Sequence, residues 1–333
     1  MSRYAMIGAI LAAVAAAAVP MAAHATLSRV TIGTNPAGTM YNTLGGGFAK
    51  VLQEKLNIQA TARPYTGSSV YIPMLQRGEI ELGINSSLDS TIAFRGTAPY
   101  PAAMTNLRGI ASIWPLPYGY IAKASSDIRT VEDFKGKRVV TAYKGNVSLQ
   151  GLNVAILATA GLTFADVTPI EVAGLPEGVR ALAEGRTDAT SVALGTGTIK
   201  EAHATIPGGI RVIGLGKNEA ALAATMPGSW PGVTKAAPEN VGVEKDTRIP
   251  YFGTYLNGSA RMPADDVYTI LKTLHQNWAS LQKDYPALRR TQPNELAAAD
   301  NPHPYHDGAI RFYKEIGLWT PANEAQQQKL LGK

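Results

Sequence analysis

The chain of 333 residues contains no cysteine. This absence excludes a disulfide framework, a thiolate nucleophile and any cysteine-ligated zinc or iron–sulfur site. Charged residues make up only 17% of the chain and hydrophobic residues 45%, which is typical of a globular protein and not of a disordered one. The net charge of +6 is small for this length, and it is not the footprint of a nucleic-acid-binding protein.

Long hydrophobic runs are absent after the first 25 residues. That first segment has Arg3 in a short basic region, an apolar run over Ala5–Val19, a helix break at Pro20 and the small-residue pattern Ala23-His24-Ala25. These features predict a signal peptide that is cleaved before Thr26. The alternative is an uncleaved anchor, but the apolar run is short for a membrane-spanning helix. We therefore expect a periplasmic protein.

Catalytic and cofactor signatures are also missing. No GxSxG elbow is present, and Gly45-Gly46-Gly47 lacks the spacing of a phosphate-binding loop, so these glycines indicate close helix packing. His303, His306 and Asp307 are compatible with a metal site, but a loop leading into a helix explains them equally simply. No acid–base pair is evident. The sequence predicts no enzyme activity, no cofactor and no metal.

Short β-type segments alternate with helical patterns along the chain, which is the rhythm of a mostly parallel sheet. The predicted elements of the first unit are the strands Val30–Thr34, Ala60–Pro64 and Glu81–Ile84 and the helices Tyr41–Leu56 and Val70–Arg77. Near the C-terminus, helices are predicted over Asp265–Gln276 and Asp307–Ile316, and Gly317 ends the second of these.

A shift of 107 positions superimposes this pattern on a second copy. The copy has the strands Arg138–Thr141, Thr168–Val172 and Asp188–Val192 and the helices Ser148–Thr159 and Pro176–Glu184. Three matched pairs are turn or helix-end glycines, namely Gly38 with Gly145, Gly67 with Gly174 and Gly78 with Gly185. Any two βαβ units share such glycines, so duplication is one explanation and common topology is the other. Both predict two α/β lobes.

Ligands of such folds bind at the carboxyl ends of the strands, so the turns at those ends should line a cleft between the lobes. The candidate ligand-binding residues are Gly38, Thr39, Tyr41, Tyr65, Ser68, Ser69, Asn85, Ser86, Lys144, Asn146, Ser148 and Thr196. The helix amino termini in these turns and the one cation, Lys144, favour an anionic ligand. For each Ser, Thr or Asn, an ordinary N-cap is the simpler alternative. Surface exposure of Lys144 and simple packing of the tyrosines are equally open.

Several segments together resemble the TAXI-type solute receptors of TRAP (tripartite ATP-independent periplasmic) transporters. The likeness covers nearly the whole mature chain and rests on the segments 30–34, 38–46, 66–69, 75–84, 107–112, 131–139 and 306–318. It implies a two-lobed, type II periplasmic-binding-protein-like fold, with two mostly parallel sheets flanked by helices and a ligand cleft between the lobes. We expect residues 26–116 to form the first part of lobe 1 and residues 117–254 to form lobe 2. Residues 255–333 should then return to lobe 1 and supply the C-terminal helices.

The resemblance also implies a function. We expect a monomer that captures a small organic anion, a carboxylate or an amino acid in the manner of glutamate, and delivers it to a sodium-coupled integral membrane TRAP permease. Two alternatives remain open from the sequence alone. The first is a sensory ligand-binding protein of the periplasm, and the second is an exported enzyme on the same fold.

Overall fold

A computed structural model describes residues 27–332 of the chain, so the predicted signal peptide and its cleavage site lie outside the described residues. The first half alternates strands and helices as the sequence predicts. Its elements are β1 (Arg29–Thr34), α1 (Met40–Leu56), β2 (Gln59–Pro64), α2 (Ser68–Arg77), β3 (Leu82–Ser86) and α3 (Ser87–Arg95).

A long strand, β4 (Leu107–Lys123), leads into the second half. The elements there are β5 (Arg138–Tyr143), α4 (Ser148–Ala158), β6 (Thr168–Val172), α5 (Leu175–Ala183), β7 (Ala189–Ala193), α6 (Gly197–Thr205), β8 (Ile210–Ile213), α7 (Ala220–Thr225) and β9 (Ser229–Thr234). The chain then runs through β10 (Thr247–Ser259), α8 (Ala264–Gln276), α9 (Trp278–Asp284), α10 (Asp307–Glu315) and α11 (Pro321–Leu330). Each of the twelve predicted elements is confirmed, with ends that differ by two residues at most.

The strand order is β2-β1-β3-β10-β4-β7-β5-β6. Each half contains three parallel strands in the same relative order, β2-β1-β3 in the first and β6-β5-β7 in the second. The two sheets of the expected fold are joined by the long strands. The antiparallel strands β4 and β10 pair with each other and with both halves, so their hydrogen bonds form one continuous ladder of ten strands.

The strand β4 serves both halves because it is 17 residues long. Its first part pairs with β10, and from Tyr118 onward it pairs with β7. The C-terminal helices cover the first half: α8 packs against α1, and Trp278 contacts the Phe48 ring at a centroid distance of 6.1 Å. The hydroxyl of Tyr313 on α10 donates to the Ile110 carbonyl of β4 at 2.8 Å. Among residues 27–332, no helix has the length and apolar character needed to cross a bilayer.

The matched glycines have two different roles. Gly78 and Gly185 have φ angles of +74° and +73° and follow the ends of α2 and α5, where an L side chain would be strained. Gly67 and Gly174 instead precede α2 and α5 with extended backbone. Gly145 lies against the Thr66–Gly67 peptide of the other half, and a side chain there would collide with backbone atoms. The second role is therefore close approach of the two halves.

Candidate functional site

A small cavity lies between the two halves, at the carboxyl ends of the parallel strands. Its volume of about 30 Å³ holds about two water molecules. The first half contributes residues from the β1–α1 turn and from the starts of α2 and α3, and the second half contributes the starts of α4 and α5. The two long strands line it with the largely apolar side chains of Leu116, Tyr118 and Phe252. The cleft between the two halves is therefore nearly closed.

A larger depression of about 880 Å³ lies elsewhere, near the amino-terminal ends of β1 and β2. Arg29, Gln59 and Arg261 on its walls are exposed to solvent. Parallel α/β sheets bind ligands at the opposite, carboxyl ends. The polar groups of the small cavity are also buried, which gives each of them a much larger influence on a bound solute. We therefore place the candidate site in the small cavity.

The centre of the site is the carboxylate of Asp89, which is 1% exposed. The hydroxyl of Ser68 donates a short hydrogen bond to it, and the Ser69 and Tyr100 hydroxyls lie 3.4 Å from its other oxygen. Ser148, from the second half, is a further hydrogen-bond partner. Burial raises the pKa of Asp89, and the hydrogen bonds from the hydroxyls oppose this rise only in part. None of these partners is cationic.

Hydrogen bonds from this cluster cross the cleft. The side-chain amide of Asn146 donates to Ser68 Oγ at 2.9 Å, and the Val147 backbone amide donates to Ser69 Oγ at 3.1 Å. The Ser69 amide in turn donates to the Gly145 carbonyl at 3.1 Å. These three bonds join α2 of the first half to the β5–α4 turn of the second. Separation of the two halves would break all three.

Two helices present their amino termini to the cavity without a side-chain cap. Thr39 precedes α1 but does not cap it, because its hydroxyl donates to the Pro36 carbonyl at 2.6 Å. Val147 precedes α4 and does not cap it either, although its own amide donates to Ser69 Oγ of the first half. Neither helix has an acidic residue in its first turn. Both ends therefore keep the partial positive charge that attracts an anionic group.

Half of the sequence-predicted residues line this cavity. They are Thr39, Tyr41, Ser68, Ser86, Asn146 and Ser148. Ser86 also caps α3, since its hydroxyl accepts from the Asp89 amide at 2.9 Å. Thr196 caps α6 and lines a second, smaller cavity next to Thr39. The N-cap interpretation is therefore confirmed for Ser86 and Thr196, whereas Ser68 and Asn146 form bonds between elements.

The other predicted residues lie outside the cavity. Gly38 is at the rim, where its carbonyl accepts from Thr198 of the second half at 3.3 Å. Ser69 stands one layer behind, within the Asp89 cluster. Asn85 is buried deeper and bonds to Ser90 and Asn257, and Tyr65 packs on the Tyr71 ring.

The structure corrects the expected electrostatics of the cleft. The Lys144 side chain is 70% exposed and lies 4.0 Å from Glu171, away from the cavity. The ionisable group that does line the cavity with Tyr41 is Asp89, which sequence reasoning missed. Its only local signal is the pattern Ser86-x-x-Asp89, which is typical of a capping box. The first bond of that box forms, but the carboxylate turns to Ser68 instead of back to the Ser86 amide.

The two clustered histidines have structural roles. His303 is fully buried, and its Nε2 atom lies 2.6 Å from the Asn257 side-chain oxygen. Burial lowers the pKa of His303 to about 3, so the ring is neutral at physiological pH. His306 caps α10 through Nδ1, which accepts from the Gly308 amide at 3.1 Å. Within residues 27–332, no three His, Cys, Asp or Glu side chains form a metal-binding group.

Solved structures described as a periplasmic transporter and as an arginine-binding protein are similar to this chain. One, described as a periplasmic transporter, is 11% identical, with 92% of this chain and 98% of that chain covered and a TM-score of 0.55. An ancestral arginine-binding protein bound to glutamine is 16% identical, covers 79% of this chain and 98% of its own, and has a TM-score of 0.50. Its arginine-bound form is also 16% identical, with 78% of this chain and 98% of that chain covered and a TM-score of 0.50. At such identities the likeness shows the fold, which confirms the predicted fold class. A model of the NMT1-like family matches residues 32–317, most of the chain, and the protein therefore belongs to the NMT1-like family.

Proposed function

We propose that this protein is a monomeric solute-binding receptor of the periplasm. It captures a small carboxylate-bearing solute between its two halves and delivers it to a sodium-coupled TRAP permease. The periplasmic-binding-protein fold supports the binding role. The segments that resemble TAXI-type receptors support the choice of permease, and residues 1–25 support export.

One observation carries this proposal: a buried polar cavity is shared by the two halves and shut by hydrogen bonds between them. The uncapped amino termini of α1 and α4 reach it from opposite sides. Free amide groups and the helix dipole at such ends bind carboxylates. The bonds of Asn146 and Val147 to α2 support a coupling between closure and the site.

The proposed mechanism is opening and closing of the cleft. The shut cavity is far smaller than the several hundred cubic ångströms of an ordinary ligand pocket, so the halves must separate to admit a solute. We propose that residues 117–254 move as one lobe against 26–116 and 255–333. A solute favours the closed form only by the difference in its affinity for the two forms. The permease then recognises the closed form and receives the solute when the lobes separate.

A thermal-shift screen of carboxylates and amino acids tests the binding role, because a solute that binds the folded state raises the melting temperature. Calorimetry should then show that Ser148→Ala weakens binding about 10-fold or more, because Ser148 lines the cavity and its hydrogen bond to the charged Asp89 carboxylate, of a kind that contributes about 1.5–3 kcal/mol, would be lost from the closed site. The control is Ser125→Ala on the exposed surface, which should bind like the parent protein. A panel in which nothing binds would contradict the proposal.

Uptake measurements test the transport role. Cells that contain the protein and its permease should accumulate the solute only while a sodium gradient is present. Loss of either protein should abolish uptake. Uptake that continues without this protein would instead favour the sensory alternative.

A further inference from the structure

The polar groups at the cavity that still lack a partner are hydrogen-bond acceptors. Asn35 Oδ1 and Asn146 Oδ1 belong to residues that are 4% exposed, and neither oxygen has a hydrogen-bond partner among residues 27–332. The carboxylate of Asp89 is a third acceptor, which neutral hydroxyls already partner. No lysine, arginine or histidine of the described chain lines the cavity. A solute that presents only acceptors would leave both asparagine oxygens without donors and would place no positive charge beside Asp89.

The orientation of Asn146 follows from Asp89. An ionised carboxylate only accepts hydrogen bonds, so Ser68 must donate its single hydroxyl proton to it. The Ser68 oxygen can then only accept, which requires that the Asn146 NH₂ group faces Ser68. The Asn146 oxygen therefore points away from Ser68. A flipped amide would set two acceptors against each other at 2.9 Å.

Burial makes the missing cation costly. A carboxylate removed from water loses solvation that neutral hydroxyl donors replace only in part, and a paired cation restores much more of it. The chain supplies four hydroxyl partners to Asp89, from Ser68, Ser69, Tyr100 and Ser148. All four are neutral. The direction of the Asp89 pKa, which is raised by burial, agrees with an anion that lacks a protein cation.

We propose that the solute carries an aliphatic ammonium group, which is seated between the Asp89 carboxylate and the Asn146 side-chain oxygen. This inference rests on the proposed function and narrows it. The carboxylate of the same solute takes the uncapped amino terminus of α1, and its ammonium group donates to the Asp89 carboxylate and to Asn146 Oδ1. The preferred solutes are therefore zwitterions, and simple mono- and dicarboxylates are poor ligands.

The test compares solutes that differ only in the amino group. The pairs are L-alanine with propionate, L-leucine with 4-methylpentanoate, and L-glutamate with glutarate, each titrated calorimetrically into the full-length mature protein. The expected result is that the amino member of at least one pair binds 100-fold or more tightly than its partner. Equal or tighter binding of the deaminated members would overturn the inference and leave the receptor role intact. Failure of every pair to bind would overturn both.

A substitution at Asp89 tests whether this residue causes the preference for solutes with an amino group. Asp89→Asn keeps the shape and removes the charge, so affinity for the amino member should fall 10-fold or more and affinity for its partner should change only a few-fold. Asp166→Asn is the matched control, because Asp166 also stands third in a helical turn but faces the surface, bonded to Thr163. An amino preference that persists in Asp89→Asn would overturn the assignment. The comparison of solute pairs in the parent protein remains decisive if this variant fails to fold.

Discussion

Substitution of Gly67 by alanine should hold the cleft open. A Cβ atom added there would stand 2.0 Å from the Gly145 carbonyl oxygen of the other half, whereas Cβ contacts below 3.0 Å essentially do not occur. The halves must therefore separate by at least about 1 Å at this point. The φ angle of Gly67 is 176°, which alanine adopts without strain. The effect should thus come from the contact across the cleft and not from the local backbone.

The magnitude follows from the three bonds that separation breaks. They are the Ser69–Gly145, Asn146–Ser68 and Val147–Ser69 hydrogen bonds, at 3.1, 2.9 and 3.1 Å. At about 0.5–1.5 kcal/mol each, their loss costs the closed form about 1.5–4.5 kcal/mol. A solute that requires the closed form should then bind about 10- to 2000-fold more weakly.

Two measurements check this expectation. Small-angle scattering of the solute-free protein should show a larger radius of gyration for Gly67→Ala, and calorimetry with the best solute of the panel should show the loss of affinity. The control is Gly46→Ala, whose added Cβ has no neighbour within 4 Å. Unchanged affinity together with an unchanged radius of gyration in Gly67→Ala would refute the role of this contact in closure.

Three further outcomes are expected. Gly45→Ala should destabilise the protein in thermal melts, because its Cβ would stand 2.5 Å from a Thr34 methyl group. Gly46→Ala should instead stabilise the protein by about 0.5–1 kcal/mol, because Gly46 is an exposed position of α1 where alanine favours the helix more than glycine does. His303 is neutral when folded and takes up a proton on unfolding below its ordinary pKa of 6.5, so the free energy of unfolding should fall as the pH drops from 6.5 towards 3, by at most ~5 kcal/mol. Urea titrations at several pH values should show that the free energy of unfolding falls less with decreasing pH in His303→Gln than in the parent protein. An equal dependence on pH in both proteins would contradict the assignment of this effect to His303. Finally, oxidation of a Thr66→Cys/Gly174→Cys pair should lock the cysteine-free chain shut and block solute uptake until reduction, because Thr66 Cγ2 lies 3.6 Å from the position of a Gly174 Cβ.

The order and type of the elements could be predicted from the sequence because they depend on neighbours along the chain. Turn glycines such as Gly78 and Gly185 end helices through their own φ angles, and apolar spacing identifies the buried face of a helix such as α8. The position of the cleft also followed, since the carboxyl ends of parallel strands share one edge. The lobe boundaries expected at 116–117 and 254–255 lie within β4 and β10, but the pairing of these two strands with each other did not follow from the sequence, because strand pairing over long separations leaves no local pattern.

The chemistry of the site depended on the tertiary structure. Ser86 and Ser68 both stand at helix starts in the sequence, yet one caps its own helix and the other bonds to Asp89 and Asn146. Asp89 has the sequence context of a capping residue, and only the packing of α2, α3 and α4 turns its carboxylate into the cavity. Lys144 is adjacent in sequence to the cleft but points to solvent. A capping hydrogen bond joins residues within one helical turn, so it can be predicted from the local sequence. A ligand site is a convergence of side chains from distant elements, and its net charge is decided only when those elements meet.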